Sequence, residues 1–115
     1  MQNNLYELVL VIVNKGTTDL VMSAAWKAGS TGGTISVARG TANPDMTKFY
    51  GINIQPEKEV VFIVVPKTIK DKVMKQIYDD AGLSTKGQGI IISLPINDAV
   101  GLPAIKEEKK EEKQD

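Results

Sequence analysis

The sequence predicts a single α+β domain in which four strands and two helices follow one another in the order βαββαβ. The chain has 115 residues, a length that suits one domain. Hydrophobic residues make up 42% of it and charged residues 24%, as in ordinary globular proteins. Short apolar runs typical of strands alternate with segments of helical periodicity, and this alternation predicts the order of the elements.

The first strand and the first helix are predicted from residues 5–28. Residues 5–13 are rich in Leu, Val and Ile and contain one charge, Glu7, so we expect a central strand covered on both faces. Thr17 or Thr18 can cap the helix that follows, which is expected to end near Gly29. The predicted buried stripe of this helix is Leu20, Val21, Ala24 and Ala25.

Residues 34–38 predict a second strand, because Ile35 and Val37 alternate with small or polar residues. From position 40 to about position 56 the sequence has no long periodic pattern and contains Gly, Asn, Pro, Asp and Thr. This pattern predicts an extended loop of about 17 residues. Loops of such length inside a small domain are usually functional or disordered, so we expect the loop to take part in binding.

The apolar run of residues 60–65 predicts a third strand, ended by Pro66. Thr68 is the predicted N-cap of the second helix, and Asp71 stands at the spacing of a capping box. Gly82 is a natural stop for this helix. Its predicted core stripe is Ile69, Val73, Ile77 and Ala81.

Residues 89–94 predict a fourth strand after a polar turn. The resulting βαββαβ order is the ferredoxin-like plan, an antiparallel four-stranded sheet with two helices on one face. We assign residues 1–105 to this domain. Residues 106–115 contain no apolar side chain, so we expect a disordered tail or a frayed helix there.

The composition excludes several classes of function. Fourteen basic and fourteen acidic residues leave no net charge to attract nucleic acid or an anionic membrane. Without Cys and His, the chain has no disulfides, no thiol nucleophile and none of the commonest metal ligands or general bases. We therefore expect a binding module without catalytic residues or a metal site. No signal peptide or membrane span is predicted, which favours the cytoplasm.

Three short glycine-containing patches are the candidate binding motifs. They occupy residues 29–34, 38–42 and 85–89. Glycines let backbone N–H groups approach an anion, and Thr or Ser adds hydroxyl donors, so such patches can cradle phosphate. Each patch alone is also typical of an ordinary turn. Lys58, in a local charge cluster, either faces a ligand or is solvated at the start of a strand.

The order of these motifs resembles that of the PII-type nitrogen-regulatory signal proteins. Gly-x-Thr-Gly-x-Thr precedes a strand, a basic residue and Gly follow it, and a long loop leads to an apolar strand ending in Val-Val-Pro. Gly-x-Gly then precedes the last strand. The resemblance extends over approximately residues 5–94.

This resemblance implies a homotrimer that binds an adenine nucleotide in the clefts between subunits. The long loop would be the T-loop, which docks onto a partner such as a membrane transporter or another protein of nitrogen metabolism. Gly40, Thr41 and Val64 would line the site from one subunit, and Gly32 and Thr34 would come from its neighbour. The remaining implied binding residues are Arg39, Lys58, Gly87, Gln88 and Gly89.

The chain departs from the family pattern at several positions. Ile90 stands where PII proteins have a Lys after the Gly-x-Gly, Phe62 replaces a Glu, and residues 100–104 lack the usual Arg-x-Arg. Because charge-assisted contacts hold phosphates, the loss of cations at these positions should weaken the binding of a triphosphate. ATP, ADP and AMP are therefore all candidate ligands. The main alternative is a ferredoxin-like trimeric scaffold of the metal-tolerance type, without nucleotide binding.

Two further functions are possible on the same fold, but the sequence lacks the residues that each would need. An acylphosphatase would need an Arg in the first strand–helix turn, but the single Arg is Arg39. An RNA-binding sheet would need several stacking aromatic residues, and Phe62 stands nearly alone.

Overall fold

The computed structural model describes residues 5–41, 48–49, 52–53, 57–85 and 87–102. The elements in chain order are β1 (Tyr6–Asn14), α1 (Thr18–Lys27), β2 (Thr34–Arg39), β3 (Lys48–Phe49), β4 (Ile52–Asn53), β5 (Glu57–Pro66), α2 (Lys67–Asp80) and β6 (Gly89–Pro95). The predicted tail (residues 106–115) and residues 42–47, 50–51 and 54–56 of the predicted loop lie outside the described residues.

Strands β2, β5, β1 and β6 form one antiparallel sheet in that spatial order. With β5 and β6 as the third and fourth strands of the predicted plan, this order confirms the ferredoxin-like α+β fold. Strands β3 and β4 pair with each other in a separate two-stranded ribbon. The ribbon lies within the segment that the sequence predicts as loop, because two-residue strands carry no periodic signal.

The hydrophobic core lies between one face of the sheet and the two helices. Its fully buried strand residues are Val9, Val11, Val13, Val61, Ile63 and Val65. On the opposite face of β1, Leu8, Leu10 and Ile12 are only half-buried. The prediction that the first strand is covered on both faces is therefore wrong within one chain, because both helices contribute to the core on the same side.

The two helices differ from their predicted forms in detail. Leu20 is 52% exposed, and Met22 and Ala28 are buried instead. At about 100° per residue, Leu20 falls beside the stripe formed by Val21 and Ala25 and not within it. Helix α2 buries Val73, Ile77 and Ala81 as predicted, and Ile69 packs against the core at its edge.

The predicted capping box of the second helix is wrong. Helix α2 begins at Lys67, and its N-cap is Pro66, which has an extended conformation. Thr68 therefore lies inside the first turn. The reason is that β5 continues through Pro66 and leads directly into the helix without a loop. At α1 the N-cap is Thr17, as predicted, although its side chain forms no capping hydrogen bond.

The sheet face opposite the helices, here called the open face, is apolar over three adjacent strands. The register places side chains of β5, β1 and β6 in three rows of three on this face. These nine residues are Val64, Leu8 and Leu94; Phe62, Leu10 and Ile92; and Val60, Ile12 and Ile90. Phe62 is 38% exposed and Ile90 55%. A contiguous apolar surface of this kind marks an interaction surface.

Candidate functional site

Seven of the ten predicted binding residues lie at one end of the sheet. Strands β1 and β2 end there, at Asn14 and Arg39, and β5 and β6 begin there, at Glu57 and Gly89. Because neighbouring strands are antiparallel, residues that follow one strand lie beside residues that precede the next. The seven residues are Arg39, Gly40, Thr41, Lys58, Gly87, Gln88 and Gly89.

Lys58 occupies the centre of this end of the sheet. It lies opposite Ala38 on one side and Asn14 on the other. Its aliphatic stem packs over Gly40, where an added Cβ would stand 3.0 Å from the Lys58 Cε atom. The Nζ atom of Lys58 donates a hydrogen bond to Oδ1 of Asn14 at 2.6 Å. The ammonium group is therefore held between the ends of β1 and β2.

Asn14 connects Lys58 to the turn before β6. Its Nδ2 atom donates to the carbonyl oxygen of Gly87 at 3.3 Å. The sequence motifs do not indicate Asn14, because its role depends on the β1–β5 register that places it opposite Lys58. The available signal is modest: a polar residue ends a long apolar strand, next to a glycine-containing turn. The structure thus brings Gly40, Lys58 and Gly87 together through a residue that sequence reasoning misses.

The glycines of the turn before β6 meet two different requirements. Gly87 has a φ of +84°, a conformation that L side chains rarely adopt, and the space beside its Cα is open. At Gly89, an added Cβ would lie 2.6 Å from the carbonyl oxygen of Ile12 and 2.9 Å from a Val13 methyl group. Gly89 therefore lets β6 begin in direct contact with β1.

The charges at this end of the sheet are only partly neutralised. The carboxylate of Glu57 pairs with Lys15 at 3.0 Å, and that of Glu59 accepts a hydrogen bond from the Gly16 N–H at 3.0 Å. Lys58 is bound by a neutral amide. Within the described part of the chain, neither Lys58 nor Arg39 forms an ion pair. This end of the sheet is suited to an anionic ligand.

Comparison with known proteins identifies the family. No family model and no curated protein matches the chain. Among solved structures, the crystal structure of Arabidopsis thaliana PII bound to citrate matches with a TM-score of 0.62 and 30% sequence identity, over 82% of this chain and 79% of the Arabidopsis chain. The chain belongs to the PII family. The resemblance inferred from the glycine patches is confirmed, and the protein is a PII-type regulatory protein.

The other three predicted residues of this PII protein lie toward the opposite end of the sheet. Thr34 begins β2 opposite Phe62, and Val64 lies two residues further along β5 on the same face. Gly32 precedes β2, and its N–H donates to the Ser30 hydroxyl at 3.3 Å. These three residues form a second group.

The position of Val64 bears on the expectation that it lines the site together with Gly40 and Thr41. It lies six residues along β5 from Lys58, a distance of about 20 Å in a strand. One chain therefore does not bring Val64 beside Gly40, and their contribution to one subunit's side of an extended ligand site stays a prediction. Val64 belongs with Gly32 and Thr34.

The departures from the PII pattern leave apolar groups where the family has cations. Ile90 is 55% exposed on the open face, immediately after Gly89. Val100 is 82% exposed. In the part of the chain that the structure describes, no cluster of three metal-ligating side chains occurs. No helix there is long and apolar enough to cross a bilayer.

Proposed function

We propose that this PII protein is a non-catalytic regulator that binds an adenine nucleotide between the subunits of a homotrimer, in the cytoplasm. One observation carries the proposal: Gly40, Lys58 and Gly87 converge at one end of the sheet, beside a positive charge without a carboxylate partner among the described residues. Phosphate groups would bind the Lys58 ammonium and the N–H groups of the turn formed by Gly87, Gln88 and Gly89.

The open face supports assembly with further copies of the chain. Nine apolar side chains on adjacent strands would be shielded from water by the same face of neighbouring subunits. The second group of predicted residues (Gly32, Thr34 and Val64) supports the same assembly. A neighbouring subunit could place this group beside the ligand held at Gly87. The base of the nucleotide would then lie against Gly32, Thr34 and Val64.

The remaining cations do not require a ligand with three phosphates. Lys58 and Arg39 provide two positive charges, and Ile90 supplies none at the position after the Gly-x-Gly. ADP and AMP therefore suit the site as well as ATP does. The Arabidopsis protein named above was crystallised with citrate, a small polyanion, and this supports an anionic ligand for the present chain.

The long loop of residues 40–56 would act as the T-loop that contacts the regulated partner. It begins at Gly40, which packs against Lys58, so a ligand at Lys58 would act on the base of the loop. A ligand shifts the equilibrium between two states of the loop only by binding one state more tightly than the other. The partner would be a transporter or a protein of nitrogen metabolism.

Isothermal titration of the protein with ATP, ADP and AMP, with and without magnesium and 2-oxoglutarate, tests the proposal. We expect micromolar binding of at least one nucleotide and its loss in Gly87→Asp, which adds a negative charge to the turn. Gly82→Asp is the matched control, because Gly82 also has a positive φ and open space beside it. No heat with any nucleotide would overturn the proposal in favour of the metal-tolerance-type scaffold.

A further inference from the structure

Asn14 contacts Lys58 and Gly87, two of the seven predicted residues that lie together at one end of the sheet. Its Oδ1 atom accepts from the Lys58 ammonium, and its Nδ2 atom donates to the Gly87 carbonyl. An ammonium group can only donate and a carbonyl can only accept, so the two partners fix the orientation of the amide. The amide accepts and donates through two different atoms, so Asn14 satisfies both partners at once.

We propose that Asn14 is a positioning residue that presents the Lys58 ammonium to an anionic ligand and couples its position to the Gly87 turn. This inference rests on the proposed function for its ligand, a carboxylate or a phosphate group. Asn14 itself acts through Lys58 and Gly87 and needs no contact with the ligand.

The first step of the argument is the neutrality of the amide. Asn14 fixes Lys58 without cancelling its charge, whereas a carboxylate at the same position would form an ion pair with it. The two acidic residues that flank Lys58 are directed elsewhere: Glu57 pairs with Lys15, and Glu59 accepts from Gly16. The positive charge of Lys58 therefore remains available to an incoming anion.

The second step is the restricted movement of Lys58. Its stem lies against Gly40, within about 3 Å of the position of an added Cβ, and its Nζ atom is bound by Asn14, so the side chain is held at two points. An anion that draws Nζ away from Asn14 removes one of the two bonds that orient the amide. The hydrogen bond from Nδ2 to the Gly87 carbonyl then changes as well. As a result, the turn before β6 responds to a ligand that binds Lys58 at the base of the long loop.

A double-mutant cycle tests this coupling without any ligand. Lys58→Met removes the ammonium and keeps the length of the side chain, and Asn14→Leu removes both hydrogen bonds and keeps the shape. We expect Lys58→Met to shift the amide NMR resonances of Gly87 and Gly89 in the native background and to leave them nearly unmoved in the Asn14→Leu background. Equal shifts in both backgrounds, or none in either, would overturn the coupling. Asn14→Ser, too short to bridge both groups, replaces Asn14→Leu if that variant does not fold.

Titration with ADP and with citrate tests the presentation of the charge. Asn14→Asp should weaken binding by about 10-fold or more, and Asn14→Leu by about 3-fold, because only the aspartate both neutralises Lys58 and loses the bond to Gly87. Asn97→Asp adds the same charge on an exposed residue after β6, near the other end of the sheet, and should bind as the native protein does. The titration with ADP reports binding of a phosphate group, and the titration with citrate reports binding of a carboxylate group.

The outcomes separate this inference from the proposed function. If the native protein binds neither ligand, the proposed function fails, while the NMR cycle still decides whether Asn14 couples Lys58 to Gly87. If the native protein binds but Asn14→Asp binds as tightly as Asn14→Leu, the role of Asn14 is overturned and nucleotide binding stands.

Discussion

Gly89 and Gly32 belong to the same predicted site but differ in the space around their Cα atoms. An added Cβ at Gly89 meets the backbone carbonyl of Ile12 at 2.6 Å, and a backbone atom cannot move aside without disturbing the β1–β6 pairing. At Gly32 nothing lies within 4 Å of an added Cβ. The same substitution should therefore destabilise the protein at Gly89 and leave its stability nearly unchanged at Gly32.

Gly89→Ala is expected to lower the free energy of unfolding by about 2–3 kcal/mol, the usual cost of overpacking a closed site. Gly32→Ala should change it by less than about 0.5 kcal/mol. Urea denaturation followed by circular dichroism measures both values. A Gly89→Ala variant as stable as the Gly32→Ala variant would show that the start of β6 is not constrained by β1.

Individual residues also show how far the sequence predicts the site. Gly87 and Gly89 could be identified from the sequence, because a glycine before a strand signals a special backbone requirement. Asn14 could not, because its partners, Lys58 and Gly87, lie 44 and 73 positions away along the chain. Their proximity depends on strand register, and no local pattern in the sequence specifies which residues of two strands face each other.

At the level of elements, α1 and α2 are joined by a polar contact at their C-terminal ends. The Asp80 carboxylate accepts hydrogen bonds from the Gln76 amide at 2.9 Å and from the Lys27 ammonium at 3.3 Å. These two contacts, first Gln76 and then Lys27, hold the pKa of Asp80 below its ordinary value of 3.8. Ionised Asp80 therefore stabilises the folded state above pH 3.8, and this contribution is lost as the pH falls through the lowered pKa.

Asp80→Asn should consequently be less stable than the native protein at pH 7 and should lose less stability on acidification. The difference between their melting temperatures is expected to shrink as the pH falls from about 5 to about 2, where the native carboxylate becomes protonated. Asp79→Asn is the control, since Asp79 pairs with Lys75 of the same helix, and it should lower the melting temperature at pH 7 by no more than about 3 °C. A constant gap between the native and Asp80→Asn curves would contradict the assignment.

The elements that the sequence predicted well are those with long apolar periodicity. Strands β1, β5 and β6 and the buried side of α2 follow from runs of apolar residues at fixed spacing. The error at the start of α2 falls where a short-range signal competes with chain continuity. Thr68 has the sequence of an N-cap, but β5 runs through Pro66 into the helix and leaves no loop for a cap.

At the level of the whole molecule, the open face is the surface through which we expect the subunits to assemble. Ile92 lies in the middle row of its nine apolar residues, beside Leu10 on β1, and is 41% exposed in one chain. We expect the native protein to have three times the 12.5 kDa mass of one chain. Ile92→Glu should give monomers, because a carboxylate cannot be buried without a partner. Light scattering after size exclusion measures the mass.

Leu20→Glu provides the control for this experiment. Leu20 is 52% exposed on α1, which packs on the opposite face of the sheet, so the variant adds the same charge without touching the open face. It should remain a trimer. A native mass of one chain, or an Ile92→Glu variant that assembles like the native protein, would remove the open face as the subunit interface.

The division of the predicted site between two ends of the sheet allows a test by mixing subunits. Gly87→Asp damages one side of a shared cleft, and Gly32→Trp fills the other side, where the structure leaves room for a larger side chain. Each variant alone should bind no nucleotide. When the two are unfolded and refolded together in equal amounts, about a quarter of the clefts pair an intact Gly87 with an intact Gly32, because head-to-tail contacts take one side from each neighbour.

Binding of about 0.25 nucleotide per chain in the mixture, measured by isothermal titration, would therefore be expected. A site contained in one chain predicts no binding, because every chain in the mixture carries damage to its own site. The mixing experiment thus decides between a shared and a self-contained site without any knowledge of how the subunits are oriented. It also depends only on the observation that Gly32 and Gly87 lie at opposite ends of one sheet.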